Sequence, residues 1–186
     1  MWEIIIIVSL VAFLIILMTW FISGYNKFIV LKNAIEKAWS NIDVLLKQRF
    51  DEIPNLVNTA KGYMKHEKGT FLEITKARSA FNGAKSIDSK VQAVSMMNKA
   101  LSGFYAVAEN YPELKADKSF KQLQDRISIL ETDIANRRES YNNHVNSYNI
   151  KIAQFPSMII AGFMKLIKKD LFIVSESERK TVKVEF

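Results

Sequence analysis

Residues 4 to 22, IIIIVSLVAFLIILMTWFI, carry no charge, and only Ser9 and Thr19 interrupt them as polar residues. A helix of that length rises roughly 28 Å, close to the thickness of a bilayer's hydrocarbon core. An aspartate or lysine midway would cost about 2.5 to 3.5 kcal/mol on insertion, so freedom from charge is what crossing requires. Trp2 and Trp20 stand at the two ends, where amphipathic rings favour the interface. The segment reads as a transmembrane helix, and the fold of the rest must accommodate it.

A cleaved signal peptide is the competing reading, with Ile22-Ser23-Gly24 as its cleavage site. Signal peptides carry a basic leader and an apolar run of about 7 to 15 residues, whereas Glu3 is the only charge here and the run is longer. A retained anchor is therefore expected. Nothing basic precedes it, and Lys27, Lys32 and Lys37 follow soon after. The positive-inside rule then puts the N-terminus outside and the domain in the cytoplasm of a bacterial-type cell, on its cytoplasmic membrane. The chain has no cysteine, which removes disulfide staples and thiolate metal sites.

The formal charge of +7 rises by one once Glu3 is set aside with the anchor. That excess favours an anionic lipid surface or an acidic partner. Nucleic acid is not expected, because the basic residues alternate with acidic neighbours, as in Lys121, Asp125, Arg126 and Glu131, and form no dense stripe.

Helical periodicity dominates the remainder. Phe28, Leu31, Ile35, Ala38, Ile42 and Leu45 recur every three or four residues, a stripe of coiled-coil type that continues the anchor as helix. Pro54 can open a new helix after a hairpin about residues 51 to 54, or kink one long helix. The next stripe runs Leu56, Ala60, Tyr63, Phe71, Ile74, Arg78 and Phe81. Asn82-Gly83 breaks it, and Asp88 or Ser89 can cap a helix over 91 to 110, which Tyr111-Pro112 ends.

Asp117, or a capping box from Ser119 and Gln122, then starts the longest element. Its stripe is Phe120, Leu123, Ile127, Leu130, Ile134, Tyr141, Val145, Tyr148, Ile152 and Phe155. So long an apolar stripe must be covered lengthwise, which predicts an all-α fold: an anchor helix continuing into an antiparallel bundle of three to four long helices. Residues 1–23 are the anchor and 24–156 the bundle. An alternating chain then brings 157–174 back towards the bilayer, with Lys165, Lys168 and Lys169 among apolar residues, either as an interfacial amphipathic segment or as a helix capping the bundle. Residues 175–186 form a solvated tail.

Several ordered blocks carry a resemblance: GYN at 24–26, NIDVLLKQRFDEIPNLV at 41–57, KGYMKHEK at 61–68 and TKARS at 75–79. AVAENYPELKAD at 106–117, FKQL at 120–123, RRESYNNHVNSYN from 137 and FPSMIIAGF ending at 163 follow. Over nearly its whole length the chain resembles the LemA family. The resemblance implies one N-terminal anchor and a helical bundle, with no agreed activity. It also associates the chain with membrane organisation, including magnetosome formation, and with a membrane zinc protease of the HtpX type.

Few residues offer chemistry. His66-Glu67 starts like a zinc-protease motif, but Thr70 stands where the second histidine belongs, leaving only His144 for a two-histidine site across the bundle. Asp43, Arg49, Asp51 and Glu52, beside Pro54 and Asn55, read as an ion-pair network rather than an acid-base pair. Glu109 and Lys115, near Tyr111 and Pro112, could meet Arg137 and Arg138 at a bundle end. Tyr25-Asn26, Tyr141-Asn142 and Tyr148-Asn149 are seam residues that pack the bundle or specify contacts between subunits, ahead of Phe155-Pro156. Dispersed glycines provide no phosphate cradle, and no cofactor or metal is expected.

These features predict a non-enzymatic, membrane-anchored scaffold or adaptor that forms homo-oligomers and engages other membrane proteins. The alternative is a sensory or ligand-binding module with a pocket around Tyr63, His66 and Tyr141. A hydrolase using His66 and Glu67 is the third class.

Overall fold

The apolar span and the first soluble stripe are one helix. In the computed structural model, which describes residues 1–173, α1 runs Trp2–Lys61 without a break. Its most apolar window has no buried residue, as a segment meant for lipid requires. Its two polar residues are satisfied internally: Ser9 Oγ donates to the Ile6 carbonyl at 2.9 Å, and Thr19 Oγ1 to those of Ile15 at 3.0 Å and Ile16 at 2.9 Å. In hydrocarbon, hydroxyls have no water to turn to.

Pro54 lies inside α1 and no hairpin forms at 51–54. Phe50, Ile53, Leu56 and Val57 around it are all buried, and their packing carries the helix through the proline. The reversal comes after Lys61, where the Tyr63 and Met64 amides both bond the Ala60 carbonyl. α2 spans Lys68–Gly83 and buries Ile74, Ala77 and Phe81. The expected stripe residue Arg78 is exposed, and its small neighbour Ala77 takes the packed position.

α3 covers Ile87–Ala108. Its cap is Ser86 rather than Asp88 or Ser89: Ser86 Oγ accepts from the Ser89 amide at 3.1 Å while Ser89 Oγ accepts from the Ser86 amide at 3.0 Å. A short α4, Pro112–Ala116, starts with proline at its first turn, where a missing N–H costs nothing. Asp117 then caps α5, Lys118–Ala153, by accepting from the Phe120 amide at 2.9 Å. Because α5 stops at Ala153, Phe155 falls outside it and is exposed rather than packed.

Within 157–174, helix α6 occupies Ser157–Phe163. It is closed by the Leu166 amide bonding the Ala161 carbonyl at 3.0 Å, with Lys165 in the left-handed region at φ 51°. Residues 164 to 173 continue without helix, and the expected tail, 175–186, lies outside the described residues. Among the described residues there are six helices and no strand, an all-α fold.

Two compact units are built from these helices. The first, Met1–Asn41 with Arg137–Leu171, packs Phe28, Ile35 and Ala38 of α1, Tyr141, Val145 and Tyr148 of α5, and Ile160 and Ala161 of α6. The second holds Ile42–Asn136 and packs α1, α2, α3 and α5. There Phe50 stacks on Phe81 with centroids 4.0 Å apart, and Phe104 meets Phe71 at 6.3 Å and Phe120 at 6.1 Å. The buried rings among them, Phe50, Phe81, Phe104 and Phe120, each contribute about 1.5 to 3 kcal/mol and come from the four helices in turn.

Candidate functional site

The second unit organises its charges across helices. Continuing the Phe28, Ile35, Ile42 repeat by seven brings Arg49 to a core position, where it is 3% exposed. Its Nη2 donates to Glu131 Oε1 of α5 at 2.5 Å and to Asn98 Oδ1 of α3 at 2.8 Å, while Nε is buried without an acceptor among the described residues. Asp43 pairs with Lys90, and Glu52 with Arg126 at 2.6 Å. The charged residues expected as one cluster before Pro54 all lie on α1 but pair outward, to α3 and α5, with Asp51 and Asn55 facing solvent. Beside Arg49, burial and the Glu131 carboxylate push the Tyr105 phenol up to about 12, partly offset by the guanidinium.

A second group of polar contacts gathers where α2, α4 and α5 begin. Tyr63 Oη donates to Asp117 Oδ2 at 3.0 Å, and Tyr111 Oη to Glu67 Oε1 at 3.3 Å. The Phe120 amide, then the Tyr63 hydroxyl, hold the Asp117 carboxyl below its ordinary value. The Asp117 bond raises Tyr63, and desolvation with the Glu67 charge raises Tyr111. Glu109 pairs with Lys115, and Pro112 is exposed. Arg137 and Arg138, expected beside that pair, belong to the first unit. His66 is exposed, and His144 also falls in the first unit. Among the described residues no three His, Cys, Asp or Glu side chains are placed to share an ion.

In the first unit Tyr25 and Asn26 are exposed, whereas Tyr141, Tyr148 and Asn149 make contacts within the chain. Tyr148 meets Phe28 edge-on at 6.5 Å, and Tyr141 meets Trp39 at 5.9 Å. Burial raises the Tyr148 phenol. Tyr141 Oη points to the Asp170 carbonyl at 3.5 Å, and Asn149 bonds the backbone of Lys169 through both ends of its amide. Arg138 and Asn142 are half-buried, whereas Phe155 and Pro156, joined by a cis peptide bond, are exposed.

Two of the concavities among the described residues lie in this unit. A cleft of about 300 Å³ is lined by Lys37, Asn41, Arg137, Ser140 and His144. A larger groove, about 820 Å³, begins at Thr19 and Ile22 on the apolar span and passes Lys27, Val30 and Leu31, with Ser147 and Lys151 of α5 on its other side. Sequence reading missed both, since each joins residues about a hundred positions apart. The available signal was the lysine at 151, which follows Ser147 by one helical turn.

Similarity to known proteins agrees with this architecture. A model of the LemA family matches residues 38–186. Protein LemA of Metamycoplasma hominis is 30% identical over 81% of this chain and 69% of its own length. Magnetosome protein MamQ 2 of Paramagnetospirillum magneticum and Magnetosome protein MamQ of Magnetospirillum gryphiswaldense are each 24% identical over 86% of this chain and 68% of theirs. The family match starts within the soluble part of α1, so it is independent of the apolar span. With four-fifths of the residues covered by the match, the chain belongs to the LemA family.

Proposed function

We propose that the chain is a membrane-anchored, non-enzymatic scaffold that self-associates and engages other membrane proteins. The observation that carries this reading is α1 itself: an uncovered apolar span and a packed bundle helix share one continuous rod, Trp2–Lys61. A flexible tether would suffice for a tethered enzyme, whereas a helical continuation holds the packed helices of the first unit in a defined relation to the bilayer. Val44, Leu72 and Ile129 remain more than half exposed on three different helices, giving the second unit apolar positions for lateral contact.

The proposed orientation has the N-terminus outside and the bundle in the cytoplasm, following Lys27, Lys32 and Lys37. Two relatives are named magnetosome proteins, which favours a role in membrane organisation. Protein quality control with an HtpX-type protease is the other setting the family resemblance supports. The sensory alternative is less favoured, since Tyr63 and His66 are exposed and not set in a pocket wall among the concavities described.

Crosslinking in intact membranes tests the scaffold reading. A ladder of homo-oligomers or one recurrent partner is expected; monomers under every condition would sink it. A reporter fused after Phe186 is expected to report cytoplasm.

A further inference from the structure

We infer that the groove between α1 and α5 binds one anionic phospholipid, its phosphate between Lys27 and Lys151 and an acyl chain along Ile22 and the membrane span. The inference rests on the anchor reading and names the lipid that the anchored chain selects.

Depth along the helices is the first argument. The apolar span ends at Ile22, and Lys27 follows five residues later, roughly 7.5 Å along the axis. The headgroup layer on each side of a bilayer is about 5 to 8 Å thick, so Lys27 reaches it from α1. On α5, Tyr148 meets Phe28 edge-on, and Lys151 lies one turn further towards the span. Two lysines from antiparallel helices therefore line one groove near phosphate depth.

Composition is the second. Ile22 joins the groove to the uncovered span, Val30 and Leu31 extend its apolar wall past Lys27, and Ser147 adds a hydroxyl to the lining near Lys151. Neither lysine has an ion-pair partner among the described residues. A groove opening into hydrocarbon at Ile22, with two unpaired cations at headgroup depth, complements an amphiphile of opposite charge. A free inorganic anion would leave the apolar wall wet, and a choline lipid would set its own cation against the lysines.

The position of α6 is an independent argument for the depth. Phe163 meets Phe21 edge-on at 5.4 Å, and Ile160 packs so closely on Gly24 that a Cβ there would lie 2.3 Å from its Cδ1. α6 is thereby fixed beside the end of the span, with Met158, Ile159 and Phe163 exposed. An apolar helix face at that level is suited to the bilayer interface, which puts the neighbouring groove within reach of lipid.

The test uses the full chain, purified from membranes in mild detergent, with phosphatidylglycerol or phosphatidylcholine added back and retained lipid counted by native mass spectrometry. The wild type is expected to retain one phosphatidylglycerol in preference to phosphatidylcholine by roughly tenfold or more, from two surface cations. K27Q/K151Q should lose that preference, K27R/K151R should keep it, and K165Q/K168Q, whose lysines do not line the groove, should keep it as well. Equal retention of the two lipids by the wild type, an undiminished preference in K27Q/K151Q, or displacement of the lipid by millimolar inorganic phosphate would each overturn the proposal. Carbonate extraction of the same membranes separates it from the anchor reading: a chain released into the wash refutes the anchor, whereas a retained chain without lipid preference refutes the site alone.

Discussion

The side-chain amide of Asn149 occupies both backbone groups of Lys169: Nδ2 donates to the carbonyl at 2.8 Å, and Oδ1 accepts from the amide at 2.9 Å. A helix residue thus completes the hydrogen bonding of a segment that has no helix or strand of its own. Such bonds answer the requirement that chain packed against a bundle leave no polar backbone group unpaired. They also commit the Asn149 amide within the chain, where a seam asparagine was expected to pack the bundle or to mark contacts between subunits.

Substituting Asn149→Ala removes both bonds and should cost about 1 to 2 kcal/mol, since the freed groups lie near water and partly rehydrate. Asn149→Asp should be worse than alanine, because it puts a second acceptor against the Lys169 carbonyl. Hydrogen exchange is the direct measurement, with the Lys169 amide losing protection in both variants. Protection unchanged in Asn149→Ala would mean that the side chain is not what holds the segment.

Arg49 is the costliest polar group in the second unit, 3% exposed and bonded to Glu131 and Asn98 from two other helices. Arg49→Ala removes the donor, the buried stem and the ion pair together. Breaking a buried pair costs about 3 to 5 kcal/mol, and the half-exposed Glu131 recovers some of that through water, so about 2 to 3 kcal/mol is expected. Arg49→Met should recover most of the loss, because an apolar chain of similar length needs no partner. Denaturant unfolding of the full chain checks both, and a methionine variant as unstable as the alanine one would show that the charge itself is required.

Much of this arrangement was readable from periodicity, and its failures have identifiable causes. Phe28, Ile35, Ala38 and Ile42 are buried as the stripe predicts, but the packed position then moves from Leu45 to Leu46. A helix of 3.6 residues per turn drifts against a 3.5 repeat, and the drift has to be taken up somewhere. Pro54 left a hairpin and one long helix both open, because local rules allow either, and packing decides for the long helix. Phe155 was placed on a stripe that outlasts its helix by two residues. The ion pairs of Asp43, Arg49 and Glu52 were expected next to one another because sequence neighbours are visible, whereas their partners Lys90, Glu131 and Arg126 are brought in by α3 and α5. The groove was invisible for the same reason.

Pro54 makes a separate prediction. Inside a helix a proline removes one hydrogen bond and crowds the preceding turn, at about 3 kcal/mol relative to alanine. α1 tolerates this because buried residues flank it. Pro54→Ala should therefore raise stability by about 1 to 3 kcal/mol, read as a higher melting temperature of the full chain. A lower one would mean that the half-buried ring is itself a packing element.

Two limits on the pH range of stability follow from the polar contacts of the second unit. Asp117 has its folded pKa lowered by the Phe120 amide and the Tyr63 hydroxyl, so its contribution is complete above the ordinary value of 3.8 and disappears as pH falls through the lower folded value. Asp117→Asn keeps an acceptor for the cap and should remove that acid dependence. At the other end, burial and Glu131 raise Tyr105 from 10.0 to about 12. A raised pKa favours the protonated phenol in the folded chain, so its contribution is complete below pH 10 and is lost as pH climbs towards 12. Alkaline titration followed by phenolate absorbance should show one tyrosine ionising far later than an ordinary phenol, and Tyr105→Phe should delete that late step. If the late step survives in Tyr105→Phe, the half-buried phenol near Arg49 and Glu131 is not its source.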